Sequence, residues 1–138
     1  IFSMITSKIE YLGALRTQAT HVRSNNTIIT DAPADNQGKG EAFSPTDLLA
    51  VGLATCIVTT MGIKLQSTGK DIKGSTAEVT KIMYAEPRRI GEIHVKLQIV
   101  NANFSENEKQ LLVNIAHTCP AARSLHPEIK QVVEIDFI

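Results

Sequence analysis

The fold is decided by the stretch SPTDLLAVGLATCIVTTMGI at positions 44–63. Ser44 can cap the free N–H groups of a helix, Pro45 fits the first helical position, and Asp47 places negative charge in the first turn. No charged residue follows until after Ile63. Apolar residues occupy nearly the whole circumference of such a helix, so protein must cover it on all sides. The stretch therefore predicts a buried helix that carries Cys56.

The cover for this helix has two candidate sources, a membrane or more protein. The uncharged run is shorter than the roughly 20 residues that cross a bilayer, and it contains several glycine and threonine residues. We therefore expect no membrane span. A chain of 138 residues has few other elements with which to surround the helix. A partner chain is expected to supply part of the cover, which predicts a homodimer.

The chain before this helix has the pattern of strands followed by a loop. Residues 5–31 alternate loosely between apolar and polar side chains, with turn residues at Gly13 and at positions 24–26. This pattern predicts two or three antiparallel strands. Positions 31–43 have no period and contain proline and glycine, which predicts a mobile loop.

The chain after the helix returns to strands. Asp71–Ala85 and Ile90–Val100 are predicted strands on either side of a polar turn at 86–89. In the second of them polar and apolar side chains alternate, so one face is expected to be wet and one dry. Gln131–Phe137 is the predicted final strand.

A second helical region lies between these strands and places Cys119 at a junction. Ser105 and Glu108 match the capping-box pattern at the start of a helix. Pro120 cannot easily continue that helix but can start another, so Cys119 is expected just ahead of a short helix. A thiolate there gains from free N–H groups and the positive dipole end, which lowers its pKa, and Arg123 returns to the same face. The alternative is a packed structural cysteine with Arg123 in water.

Composition excludes several classes of function. The chain has 14 Lys and Arg against 14 Asp and Glu, so no net charge attracts it to a phosphate backbone, and nucleic acid is not an expected partner. Two cysteines without a C-x-x-C pair and four scattered histidines predict no metal site, and no cofactor is expected. No sustained apolar stretch opens the chain and Met4 resembles a natural start, so we expect one cytoplasmic domain over residues 1–138.

Two cysteines are sufficient for a thiol peroxidase. Such an enzyme needs one thiolate that attacks the O–O bond and a second thiol that captures the sulfenic acid. It also needs a cation, for which arginine is well suited because it stays charged and donates several hydrogen bonds. Arg16 and Arg23 lie in the predicted strands, where both could equally be solvated residues. Local sequence alone favours Cys56 as a small buried hydrophobe.

The motifs SPTDLL at 44–49, GLATC at 52–56 and TCP at 118–120 together resemble the OsmC/Ohr family of osmotically inducible and organic hydroperoxide resistance proteins. The similarity in element order covers almost the whole chain. It implies an α+β OsmC-like fold with antiparallel sheets around a buried central helix, in an intertwined homodimer with active sites at its interface. It also implies reduction of organic hydroperoxides, with Cys56 attacking the peroxide, Cys119 resolving the product as a disulfide, and an external dithiol, a lipoylated protein in some members, recycling it.

One position departs from this resemblance. The family places an N-terminal strand arginine beside the attacking cysteine, and Arg16 is its nearest match here, with Arg23 as a competitor. Ohr-type peroxidases hold that arginine with a glutamate directly after the helix-opening proline, where this chain has Thr46. Asp47 would lie on the side of an ideal helix opposite Cys56. We therefore expect an OsmC-like protein outside the best-studied peroxidase branch. A weakly active or non-catalytic binding dimer and a general thiol-disulfide redox protein remain alternatives.

Overall fold

The structure is a computed structural model that describes residues 4–100 and 103–138. The chain divides into two compact units, Ile1–Leu48 and Leu49–Ile138, called here the first and second unit. The boundary falls near the start of helix α1. A single domain over residues 1–138 stays a prediction.

The first unit contains a three-stranded antiparallel sheet, as the sequence predicts. Its strands are β1 (Ser7–Gly13), β2 (Arg16–His21) and β3 (Thr27–Asp31), and β2 lies in the middle. Ala14 and Leu15 between β1 and β2 both adopt positive φ, 51° and 63°, which suits a tight turn between twisted strands.

The loop after β3 is irregular, as expected, but it is tied to the sheet rather than loose. A short 3-10 turn spans Ala34–Asn36. The backbone N–H of Ala32 donates to the carbonyl of Leu15 at 3.0 Å, and that of Gly40 donates to the carbonyl of Ala32 at 3.2 Å. These bonds satisfy backbone groups that no strand partner reaches.

Helix α1 spans Pro45–Leu65 and begins where its capping signals predict. The backbone N–H of Ser44 donates to Oδ2 of Asp47 at 2.9 Å, and the N–H of Asp47 donates to Oγ of Ser44 at 3.1 Å. The helix continues beyond the uncharged run, so the length of that run does not exclude a membrane span. By length and composition alone, Pro45–Thr68 could cross a membrane. The core helix of a compact unit passes the same test, and one face of α1 is buried in such a core.

The second unit contains a mixed sheet rather than a purely antiparallel one. Its strands are β4 (Thr76–Tyr84), β5 (Arg89–Ile99) and β6 (Lys130–Phe137), with β5 in the middle. The pair β4 and β5 is antiparallel, but β5 and β6 are parallel, which corrects the expectation of antiparallel sheets. The reason is the long crossover between them, which passes through two helices.

The crossover contains α2 (Glu106–Thr118) and α3 (Pro120–Ser124). The predicted capping box is present, because Ser105 and Glu108 exchange side-chain and backbone hydrogen bonds. Cys119 ends α2 and precedes α3, so the predicted junction is confirmed.

The apolar core lies in the second unit. It joins one face of α1 to the dry face of β5 and to the inner face of α2, with these largest members: Leu53, Ile57, Met61, Leu65, Ile93, Val95, Leu97, Ile99, Leu112. The alternation predicted for β5 is confirmed. In the described part of the first unit, by contrast, the buried residues are polar: Thr30, Asp31 and Ser44. The cover of α1 is also incomplete, since Leu49 and Ile63 are 52% and 59% exposed.

Candidate active site

Cys56 lies in the middle of α1 and is half-buried at the edge of the core. Its Sγ lies 3.8 Å from Oγ1 of Thr60, one helical turn later. The thiol is free. A half-buried sulfur keeps access to small molecules while the core fixes its direction.

Cys119 is a free thiol that is only 1% exposed. Its backbone N–H donates to the carbonyl of Ile115, and its carbonyl accepts from the N–H of Arg123, so both adjoining helices hold it. Its side chain belongs to the same apolar core as the buried face of α1.

The fold of the second unit brings these two thiols together. Both thiols pack against the same core, and the Cys119 thiol and the backbone N–H of Ala121 lower the pKa of Cys56 by hydrogen bonding. Since Cys119 precedes α3 directly, the junction that buries it also directs a backbone donor at Cys56. The two thiols thus pack against one core and influence each other's ionisation.

The surroundings separate the pKa values of the two thiols. Burial raises the pKa of Cys56, but hydrogen bonds from the Ala121 N–H, the Cys119 thiol and the Thr60 hydroxyl outweigh burial and hold that pKa below its ordinary value. Burial raises the pKa of Cys119, backbone N–H groups oppose that effect, and its hydrogen bond to Cys56 and the charge there raise the pKa further. Cys56 therefore ionises first, while Cys119 keeps its proton.

The local sequence left two interpretations of Cys119 open, a thiol activated by the helix start and a packed structural thiol, and its burial and raised pKa fit the second. Arg123, expected on the same face, instead donates from its Nε to the carbonyl of Thr118 at 2.8 Å. Ala121 at the start of α3 donates to the neighbouring sulfur. The sequence around Cys56 does not predict this donor, because Ala121 lies in a distant part of the chain.

Arg16 forms an ion-pair cluster within the first unit. Its Nε and Nη2 donate to Oδ1 and Oδ2 of Asp31 at 2.7 and 2.9 Å, and Nη2 also donates to Oε2 of Glu41 at 3.2 Å. The Asp31 side chain is 1% exposed, and its Oδ2 also accepts from the backbone N–H of Glu41. The Arg16 guanidinium holds the pKa of Asp31 below its usual range against the opposing effect of burial.

Sequence reasoning missed Asp31 and Glu41 as the partners of Arg16. Asp31 pairs with Arg16 across β2 and β3, and that register was not predicted. The available signal was a carboxylate that ends an otherwise uncharged strand. Arg23 differs, because it is exposed in the turn after β2 and has no hydrogen bond or ion pair within the described residues.

Thr46, where the resemblance implies a glutamate in Ohr-type peroxidases, takes part in the helix start. Its Oγ1 lies 3.3 Å from Oγ of Ser44. The carboxylates that hold Arg16 thus come from β3 and the following loop instead.

The first unit also has an open, largely apolar recess of about 550 Å³, lined by these residues: Ile28, Ile29, Gly40, Glu41, Ala42, Phe43, Asp47.

Within residues 4–100 and 103–138, no cluster of three or more His, Cys, Asp or Glu side chains is suited to a metal ion.

The second unit thus holds two free thiols, one half-buried and one buried, against one apolar core of an α+β fold. The model of the OsmC-like protein family matches residues 38–134. The chain belongs to this family.

Solved structures agree with this assignment. A protein of Psychrobacter arcticus 273-4, assigned provisionally to osmotic stress induction and the detoxification response, is 54% identical, with 99% of this chain and 98% of that chain covered and a TM-score of 0.92. An OsmC like protein from Mycoplasma pneumoniae is 20% identical, with 100% and 99% covered and a TM-score of 0.79. The organic hydroperoxide resistance protein OsmC of Legionella pneumophila is 18% identical, with 98% and 99% covered and a TM-score of 0.70. The last two share the fold. No curated protein matches the chain.

Proposed function

We propose that the protein reduces organic hydroperoxides with Cys56 as the attacking thiolate and Cys119 as the resolving thiol. The observation that carries this proposal is that both thiols pack against one core, where hydrogen bonding lowers the pKa of Cys56 and burial raises the pKa of Cys119. A thiolate is the nucleophile that peroxide reduction needs, and a nearby thiol prevents further oxidation. Membership of a family with organic hydroperoxide resistance proteins supports the substrate class.

The proposed reaction has three balanced steps. The Cys56 thiolate attacks the terminal oxygen of the hydroperoxide, the O–O bond breaks, and the alkoxide leaves and takes up a proton to become an alcohol. The Cys119 sulfur, after losing its proton, attacks the Cys56 sulfenic acid, so that an S–S bond forms and water leaves. An external dithiol, for which a lipoylated protein is our candidate, then reduces the disulfide and is itself oxidised.

Arg16 is the proposed cation of this reaction, with the role of stabilising the thiolate and directing the peroxide. Asp31 and Glu41 hold one edge of its guanidinium through Nε and Nη2. Its Nη1 makes no hydrogen bond within the described part of the chain and is free to donate to a ligand. Arg23 has no comparable anchor, which favours Arg16 over it.

The proposed assembly is a homodimer. The first unit buries no apolar side chain among its described residues, yet it exposes many large ones, with exposed fractions of 65% for Ile5, 63% for Ile9, 64% for Tyr11 and 53% for Phe43. A three-stranded sheet without an apolar core is marginal in water. This surface suits a second copy of the chain, and so, taken by itself, does the exposed side of α1. We also propose a cytoplasmic location, where a reductant keeps thiols free.

Peroxide consumption tests the proposal directly. With cumene hydroperoxide and a dithiol, the wild-type protein is expected to turn over, Cys56→Ser to lose all activity, and Cys119→Ser to complete one turnover and then over-oxidise. Mass spectrometry of the wild type after one equivalent of peroxide is expected to show an intramolecular bridge between Cys56 and Cys119. Unchanged consumption in Cys56→Ser would falsify the assignment.

General thiol-disulfide exchange is a second candidate function. It is favoured by one observation, that the donors around Cys56 are all neutral, so the dithiol does not depend on an arginine within its own unit. Efficient reduction of a protein disulfide without peroxide, together with failure of the wild type to consume peroxide, would support it over the first proposal.

A further inference from the structure

We propose that Thr60 is a positioning residue for Cys56, whose hydroxyl donates a hydrogen bond to the thiolate and holds the sulfur toward Cys119 and the Ala121 N–H. The inference rests on the proposed function only in taking Cys56 as the reacting sulfur. Thr60 lies four positions after Cys56 on α1, so both side chains share one face of the helix.

The use of the Thr60 hydroxyl differs from that of its neighbour Thr55. A threonine inside a helix commonly turns its hydroxyl to a carbonyl three or four residues earlier. Thr55 does this, because its Oγ1 donates to the carbonyl of Gly52 at 3.2 Å. Thr60 instead has Cys56 Sγ as the one hydrogen-bond partner of its hydroxyl within the described residues, at 3.8 Å. The Thr60 hydroxyl thus contacts the Cys56 sulfur rather than a backbone carbonyl.

Thr60 is also the donor whose contribution can be isolated. The thiolate has three donors, namely the Ala121 N–H, the Cys119 thiol and the Thr60 hydroxyl. The first is a backbone group, and the second is a reactant that disappears when the disulfide forms. Only the Thr60 hydroxyl can be removed by a substitution that leaves both thiols in place.

The experiment follows the pH dependence of Cys56 alkylation by iodoacetamide in the reduced full-length protein, with the labelled cysteine identified by mass spectrometry. Thr60→Val is expected to move the midpoint to higher pH and to slow alkylation below the midpoint by roughly three- to tenfold, the worth of one hydrogen bond. Thr60→Ser keeps the hydroxyl and is expected to retain the wild-type midpoint. Thr59→Val, an exposed position on the same helix, is the matched control and is expected to change nothing.

A wild-type midpoint in Thr60→Val would overturn the proposal, and so would an equal shift in Thr59→Val. Thr60→Ala, with a residue of high helix propensity, gives the same test if valine disturbs the packing. The readout needs no peroxide. If the midpoint shifts in Thr60→Val but the wild type consumes no peroxide, the proposed function is contradicted and the role of Thr60 stands. If the midpoint does not shift and the wild type turns over normally, the role of Thr60 is contradicted and the proposed function stands.

Discussion

The thiol pair of the second unit and the ion-pair cluster of the first unit differ in how each is stabilised. Neutral donors surround Cys56, at the edge of an apolar core. Two carboxylates bind Arg16, in a unit whose described residues bury no apolar side chain. Packing and hydrogen bonds thus determine the state of the Cys56 thiol, whereas ion pairs hold the Arg16 guanidinium.

The comparison shows that the lowered pKa of Cys56 and the fixed direction of the Arg16 guanidinium have separate causes. A thiolate that depends on neutral donors has a lowered pKa without a cation in its own unit. A guanidinium that is held by its Nε and Nη2 keeps a fixed direction without a thiolate. Substitutions in the two clusters should therefore separate thiol ionisation from peroxide turnover.

The largest expected difference lies between the two thiols. At pH 7 iodoacetamide is expected to label Cys56 roughly tenfold or more faster than Cys119, because only the thiolate reacts and the pKa of Cys56 is lowered while that of Cys119 is raised. Burial of Cys119 adds to the difference. Mass spectrometry of peptides at successive times gives both rates in one sample. Equal labelling of the two cysteines would remove the distinction between them.

The same comparison explains what the sequence could predict. Both helix starts were predicted, since capping signals such as Ser44 with Asp47 and Ser105 with Glu108 are local. The parallel pairing of β6 with β5 was not, because strand direction depends on the path of the crossover.

The contacts within the candidate site were harder to predict from the sequence than the helix starts. Local physics left Cys119 open between an activated and a packed thiol, and only the family resemblance assigned the attacking role to Cys56. The Ala121 donor and the Asp31 anchor both come from residues that are remote in sequence from the groups they serve. Such partners are set by tertiary packing and strand register, which a single sequence does not encode locally.

The role proposed for Arg16 predicts an intermediate effect on activity. Arg16→Lys keeps the charge but not the two-point contact with Asp31, so kcat/KM for cumene hydroperoxide is expected to fall roughly tenfold. The pH midpoint of Cys56 alkylation is expected to stay within the wild-type range, because lysine keeps the positive charge and the donors that lower the pKa of Cys56 within its own unit are neutral. Arg23→Lys, at an exposed position without an anchor, is the control. Equal losses in the two variants would contradict the assignment of Arg16.

The smallest expected effect concerns the stability that Asp31 gives to the first unit. Asp31→Asn removes one charge from the buried contact with Arg16, and the melting temperature is expected to fall by roughly 5 °C at pH 7. Because the folded-state pKa of Asp31 lies below its unfolded value of about 3.9, its contribution is complete above that value and is lost as the pH falls through the folded-state pKa. Thermal melts from pH 7 into the acid range should therefore show the wild type and Asp31→Asn converging.

Glu41→Gln is the matched control for this prediction, because Glu41 contacts the same Nη2 but its side chain is 66% exposed. An exposed ion pair contributes little, so the melting temperature is expected to change by only about 1 °C. Equal shifts in the two variants, or a constant difference between the wild type and Asp31→Asn down to the lowest pH, would show that burial of Asp31 is not what fixes Arg16. The guanidinium would then be held by the loop as much as by β3, and its direction would depend on the loop's hydrogen bonds at Ala32 and Gly40.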